Sequence, residues 1–297
     1  MASVADKLPA QSQARPSRAI PWTEIVWFAA LLIAGSYTTL KLLVYIWATN
    51  EDVGHGFFVP VVAGWIAWQR RDQILAMDLK PAWWGLGVMA WGIFQGYVGT
   101  VGAELFLQFT AVLVLLVGLL LTIGGTPLVR ALAFPLLLLP FMVPIPQVIY
   151  TSITFPLQLF ASWVAEGALN FMGYPVLREG NILELASQKL SVAEACSGIR
   201  SLLSLSFLSL VYAYFFDTRV WMRWVMLAAT VPIAILANAG RVTITGMLSE
   251  INPDLARGFF HELEGWVIFL IAGVMLIALH GAILGAMRLW GKKARAT

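Results

Sequence analysis

The one cysteine of this chain stands in Glu194-Ala195-Cys196-Ser197-Gly198-Ile199-Arg200-Ser201-Leu202. A lone cysteine cannot form an intrachain disulfide, so it is either a small buried filler or a reactive group. Its setting favours reactivity. Cys196 lies at the start of an apolar helix, where unpaired N–H groups and the helix dipole stabilise a thiolate. Arg200 falls one turn further along the same face and adds a positive charge. Two other polar clusters stand at ends of apolar stretches: Asn238-Ala239-Gly240-Arg241, and His261 within Phe259-Phe260-His261-Glu262-Leu263-Glu264-Gly265. Taken singly, Arg241 reads as a snorkelling anchor and His261 as a structural interfacial histidine. Taken together, Cys196, Arg241 and His261 supply a nucleophile, a cationic oxyanion donor and a general base, the parts acyl transfer needs.

Four polar groups are placed to support them: Glu194, Arg200, Asn238 and His55. The last opens His55-Gly56-Phe57-Phe58-Val59-Pro60 and competes with His261 as the base. His280 falls deep in the last apolar stretch and reads as packing. Other protease chemistries fit less well. A rhomboid-type serine protease wants Gly-x-Ser-Gly, and Ala195 stands where the first glycine would be. A zinc protease wants His-Glu-x-x-His, and His261-Glu262 has no second histidine at that spacing. An aspartyl intramembrane protease needs two mid-span aspartates, whereas every Asp here falls at a span end, tail or loop. No metal or other cofactor is expected. A transporter or polysaccharide-export component is the non-enzymatic alternative, but transporters hold their polar sites near the bilayer midplane, not at one surface.

The elements that must position these residues follow from composition. The chain has 297 residues, 60% hydrophobic and 12% charged, with a mean hydropathy of +0.80. Soluble domains carry roughly 25% charge. A polytopic all-α transmembrane bundle is expected, of about eight spans near 24–47, 54–70, 83–100, 105–125, 128–147, 198–216, 222–241 and 262–287. One transmembrane catalytic domain, 24–287, is flanked by tails 1–23 and 288–297. Nothing in this composition suggests a nucleic-acid partner. The fifth span holds Pro135, Pro140, Pro144 and Pro146, so it should be kinked or broken where neighbours re-satisfy the freed carbonyls.

Orientation follows from where lysine and arginine fall. With both termini in the cytoplasm, the inner side holds 13 of the 19 Lys and Arg against 5 acids, a net of +8. The outer side holds the other 6 against 11 acids, a net of −5. Residues 148–173 must not cross if this polarity is to hold. Their Gln158, Ser162, Glu166 and Asn170 recur every fourth residue on one helical face, as in a helix lying at the membrane interface. A ninth span whose stripe faces a bundle cavity is the alternative. Residues 174–195 read as a small extracytoplasmic β-hairpin, with a turn at Gly180-Asn181 and strand-like alternation continuing through Leu190 and Val192.

The cysteine motif, Asn238-Ala239-Gly240-Arg241, the His261-to-Gly265 spacing and His55-Gly56-Phe57-Phe58-Val59-Pro60 resemble the exosortases over nearly the whole chain. The Pro175–Asn181 hairpin before the cysteine takes part in the resemblance. Exosortases are bacterial inner-membrane cysteine proteases or transpeptidases. Their protein substrates carry a C-terminal Pro-Glu-Pro tripeptide, a hydrophobic helix and a basic tail, and the family commonly accompanies exopolysaccharide genes. The resemblance implies Cys196 as nucleophile, with Arg241 and His261 completing the site, in contact with membrane lipid and with water or an amine as acceptor.

Overall fold

The computed structural model describes residues 22–192, 198–252 and 259–293. Cys196 and Glu194 lie outside them. The chain divides into two compact units, Met1–Leu43 with Pro60–Pro140, and Val44–Val59 with Phe141–Thr297. No composition shift marks that boundary in the sequence, because it falls inside apolar stretches.

The first unit draws on α1 (Trp22–Gly35), most of α2 (Tyr37–Thr49) and α3 (Phe58–Gln69), then α4 (Arg71–Leu75), α5 (Trp84–Val101), α6 (Leu105–Ala131) and α7 (Ala133–Leu138). α5 and α6 pack as a hairpin through glycine-lined contacts. A Cβ at Gly85, Gly92 or Gly118 would come within 3 Å of the opposing helix. Near its end α6 is broken at Gly125, whose φ of +70° brings the chain against the Lys80 carbonyl, where a Cβ has no room.

The second unit holds the candidate site. α8 (Gln147–Phe171) leads into a three-stranded antiparallel sheet, β1 (Val176–Glu179), β2 (Ile182–Leu185) and β3 (Lys189–Ser191), in the order β1-β2-β3. After it come α9 (Gly198–Phe216), α10 (Val220–Ile251) and α11 (Phe259–Lys293). The expected hairpin is present with one strand more. Gly180 takes a φ of +64° while Asn181 stays negative, the backbone of a two-residue II′ turn. Leu183, Leu185, Leu190 and Val192 form one apolar face, buried against Ala161, Ala165 and Leu169 of α8 and Ala239 and Val242 of α10.

The polar stripe of α8 is the anchor for this sheet. Asn181 Nδ2 donates to Gln158 Oε1 at 3.0 Å, and Ser162 Oγ donates to the Gly180 carbonyl at 2.9 Å. Arg178 pairs with Glu166 at 2.9 Å, and the Val176 N–H reaches Asn170 Oδ1 at 3.4 Å. All four residues of the stripe therefore bind protein. Headgroup contact is not needed to explain them.

The expected count of about eight spans is not confirmed. By length and composition four described helices could cross a membrane: Leu105–Ala131, Gln147–Phe171, Val220–Ile251 and Gly265–Leu289. Ile25–Gly35 and Tyr37–Thr49 make a fifth if they are one broken span, bent by 78° at the Gly35-Ser36 pair. The other expected spans fall short for local reasons. Residues 51–57 form a 3-10 turn that leaves α3 only 12 residues, about 18 Å at 1.5 Å per residue. The proline-rich stretch breaks after α7 into a 3-10 turn, Leu139–Met142, as its four prolines require.

At the far end of α9 a buried polar network ties three elements together. His280 of α11 approaches Asp217 Oδ2 through Nε2 at 3.2 Å and meets the Tyr212 hydroxyl through Nδ1 at 3.1 Å. Asp217 Oδ1 accepts the Arg219 N–H at 2.7 Å. His280 is thus a hydrogen-bonding residue as well as a packing one. His280→Leu removes the Nε2–H donor from a buried carboxylate, and leaving such a group short of a partner costs about 1–3 kcal/mol. A clear drop in thermal stability in detergent is expected for His280→Leu. An unchanged melting temperature would show that the network contributes no stability.

Candidate active site

The site is built at the start of α9 and along the facing stretches of α10 and α11. Where the proline-rich stretch ends, helix breakage frees backbone carbonyls, and the residues before α3 bind them. Trp47 Nε1 donates to the Met142 carbonyl at 2.9 Å, and His55 Nε2 donates to the Phe141 carbonyl at 3.0 Å. Gly56 fits beneath the Trp47 indole, because a Cβ there would lie 2.4 Å from Nε1. His55 therefore has one nitrogen engaged in holding the chain. Burial pushes its imidazole pKa below the usual histidine value, outweighing the Phe141 carbonyl, which favours the charged form. Nδ1 is buried, with no hydrogen-bond partner among the described residues.

The same turn carries a residue that sequence reasoning missed. Asp52, its N–H bound to Asn50 Oδ1, accepts from Arg200 Nε at 3.1 Å and from the Tyr150 hydroxyl at 2.9 Å. Arg200 is thereby fixed by a carboxylate 148 positions away. The sequence offered one signal, an acid three residues before His55 at a span end.

Arg241 lies on α10, partly buried, with its main-chain carbonyl accepting from Thr245 Oγ1 at 3.0 Å. Its guanidinium rests on α11 at Gly265. A Cβ built there would sit 3.2 Å from Arg241 Nη2. His261 is one helical turn before Gly265, so it shares that face of α11. The spacing between His261 and Gly265 thus has a physical meaning: the glycine leaves room for the arginine beneath the histidine's turn. Asn238, one turn before Arg241, is 8% exposed and lines a cavity of about 20 Å³ with Leu157 of α8, Leu202 of α9 and Val231, Ala234 and Ile235 of α10. Leu202, two residues beyond Arg200, shares this cavity with Asn238.

Two half-sites result, Asp52–Arg200–Tyr150 and Arg241–Gly265, both in the second unit. A match to the transmembrane exosortase family covers residues 47–278, from Trp47 to beyond the Gly265 contact. The chain belongs to the exosortase family. No curated protein and no solved structure is significantly similar to it. The family and the several apolar helices make it a multi-pass membrane protein, and family membership implies protein substrates with sorting signals.

Within this exosortase, the fit of Gly265 to Arg241 yields a prediction. Gly265→Ala forces the guanidinium to give by a few tenths of an ångström. On the reading of Arg241 as an oxyanion donor proposed below, a small misplacement costs rate steeply, so substrate processing should fall about tenfold with the melting temperature almost unchanged. Kinetics and thermal melts on one preparation check it. Wild-type turnover would mean that the contact has no bearing on activity.

Proposed function

We propose that the protein is a cysteine protease or transpeptidase of the bacterial inner membrane, with its active site facing the periplasm and both termini in the cytoplasm. Its substrates would be exported proteins ending in Pro-Glu-Pro, a hydrophobic helix and a basic tail, in a setting of exopolysaccharide and surface-protein export. The seating of the Arg241 guanidinium on Gly265, one turn from His261, carries this reading. It supports a cation from α10 set against the turn of α11 that follows His261.

The mechanism follows from the residue chemistry. The substrate's hydrophobic tail enters laterally among the helices, its basic end remaining in the cytoplasm as the positive-inside rule favours. The Cys196 thiolate attacks the scissile carbonyl, and its electron pair moves onto oxygen, where Arg241 stabilises the charge. The oxyanion collapses to a thioester as the C–N bond breaks, and His261 gives the departing amine its proton. Water or an amine then attacks the thioester, passes a proton to His261 and regenerates the thiolate. Asp52 fixes Arg200, four residues after the nucleophile in sequence, and a cation near a thiol favours the thiolate.

Alkylation is the direct test, because Cys196 is the chain's one cysteine and a thiol reagent has no other target. Maleimide treatment should abolish processing of a tailed substrate, and prior substrate should slow the labelling. Full processing by quantitatively alkylated protein would refute the proposal and favour a non-enzymatic export role.

A further inference from the structure

The sheet has two edges, and they are not equivalent. On β1 the outward N–H of Val176 meets Asn170 of α8. On β3 the ladder shows which groups turn where. The Val192 N–H donates to the Asn181 carbonyl and the Leu185 N–H to the Gln188 carbonyl. Residues 188, 190 and 192 therefore direct their backbone groups at β2, and Lys189 and Ser191 direct theirs away from it. Among the described residues nothing hydrogen-bonds those outward groups. An unpaired edge is a template for another strand.

This edge is tethered to α10 and leads toward Arg241. At one end Ser187 binds Glu250 through both its N–H and its hydroxyl, at 3.0 and 2.9 Å, and Gln188 Nε2 donates to Ser249 Oγ at 3.0 Å. At the other end Leu190 and Val192 are buried with Ala239 and Val242, which flank Arg241. β3 thus runs along α10 from its C-terminal end toward Arg241, and Cys196 follows Ser191 by five residues. Lys189 adds a cation on the solvent-facing side, next to Glu184.

We propose that the outer edge of β3, Lys189–Ser191, binds the extended segment of a protein substrate as a fourth strand and leads its scissile bond toward Cys196 and Arg241. This rests on the reading of the chain as a peptidase. Main-chain pairing supplies affinity without demanding side chains, as in other cases of strand addition. Only alternate residues of an added strand face β3. A segment with proline at every second position, as in Pro-Glu-Pro, can turn both prolines outward, where a missing N–H costs nothing. Its central acid then faces the edge near Lys189.

The test compares wild type and Ser191→Pro on one tailed substrate. Proline removes an N–H that the β2 ladder does not use. KM should rise ~2- to 10-fold in Ser191→Pro, the worth of one hydrogen bond, with kcat and melting temperature held. Equal KM in the two would overturn the inference. If Ser191→Pro does not fold, the substrate decides. Replacing the amide of its central Glu by an ester should weaken binding to Cys196→Ala by a similar factor, and unchanged binding overturns the inference. Failure of the wild type to process any tailed substrate would instead overturn the peptidase reading, and this inference with it.

Discussion

Cys196→Ala is expected to abolish substrate processing, by roughly 10³-fold or more, while the protein still inserts and folds. Covalent catalysis has no substitute route when its nucleophile is removed. Exchanging one small side chain for another leaves little cavity, so stability should hardly move. Cys196→Ser should be nearly as inactive, since a hydroxyl is far harder to deprotonate than a thiol. Single-turnover assays with purified protein check both variants. Comparable turnover by Cys196→Ala would exclude covalent catalysis by this residue.

Arg241→Lys should also fold and insert but lose about 10²–10³ in rate, the cost of removing one oxyanion donor. An arginine that merely anchors a helix needs a long stem and a charge, and lysine supplies both. An oxyanion clamp uses a planar fork of donors, which a point-charge ammonium does not reproduce. The close fit between the guanidinium and Gly265 adds a geometric reason, since a lysine would not fill that space with the same donors. Arg257→Lys, in the segment between α10 and α11, should do little and serves as the control. Full activity in Arg241→Lys would reduce Arg241 to an anchor and leave the oxyanion to Arg200 or to backbone N–H groups near Cys196.

The hairpin was legible because Gly180-Asn181 between alternating apolar residues is a local signal that needs no partner. The broken proline stretch was legible for the same reason, as was the need for neighbours to bind its carbonyls. That Trp47 and His55 supply those donors was not legible, since both act some 90 positions away. Periodicity revealed the α8 stripe but could not reveal what it faces. A row of Gln, Ser, Glu and Asn looks the same whether it meets headgroups, a cavity or a β-sheet. Hydropathy does not register backbone geometry: the Gly35-Ser36 bend and the 3-10 turn at 51–57 interrupt stretches that are continuous in hydropathy. In the candidate site, motif spacing singled out Arg241 and the turn from His261 to Gly265. Asp52 stayed hidden because an ion pair between residues 52 and 200 leaves no trace in either segment alone.

Intact-mass measurement of the enzyme after a rapid quench with a tailed substrate addresses the nucleophile directly. A species heavier than the free enzyme by the acyl part of the substrate is expected, with peptide mapping placing the adduct on Cys196. It should be discharged by hydroxylamine and absent from Cys196→Ala. Processing under the same conditions with no adduct on Cys196, or with the adduct on another residue, would contradict thioester catalysis by this cysteine.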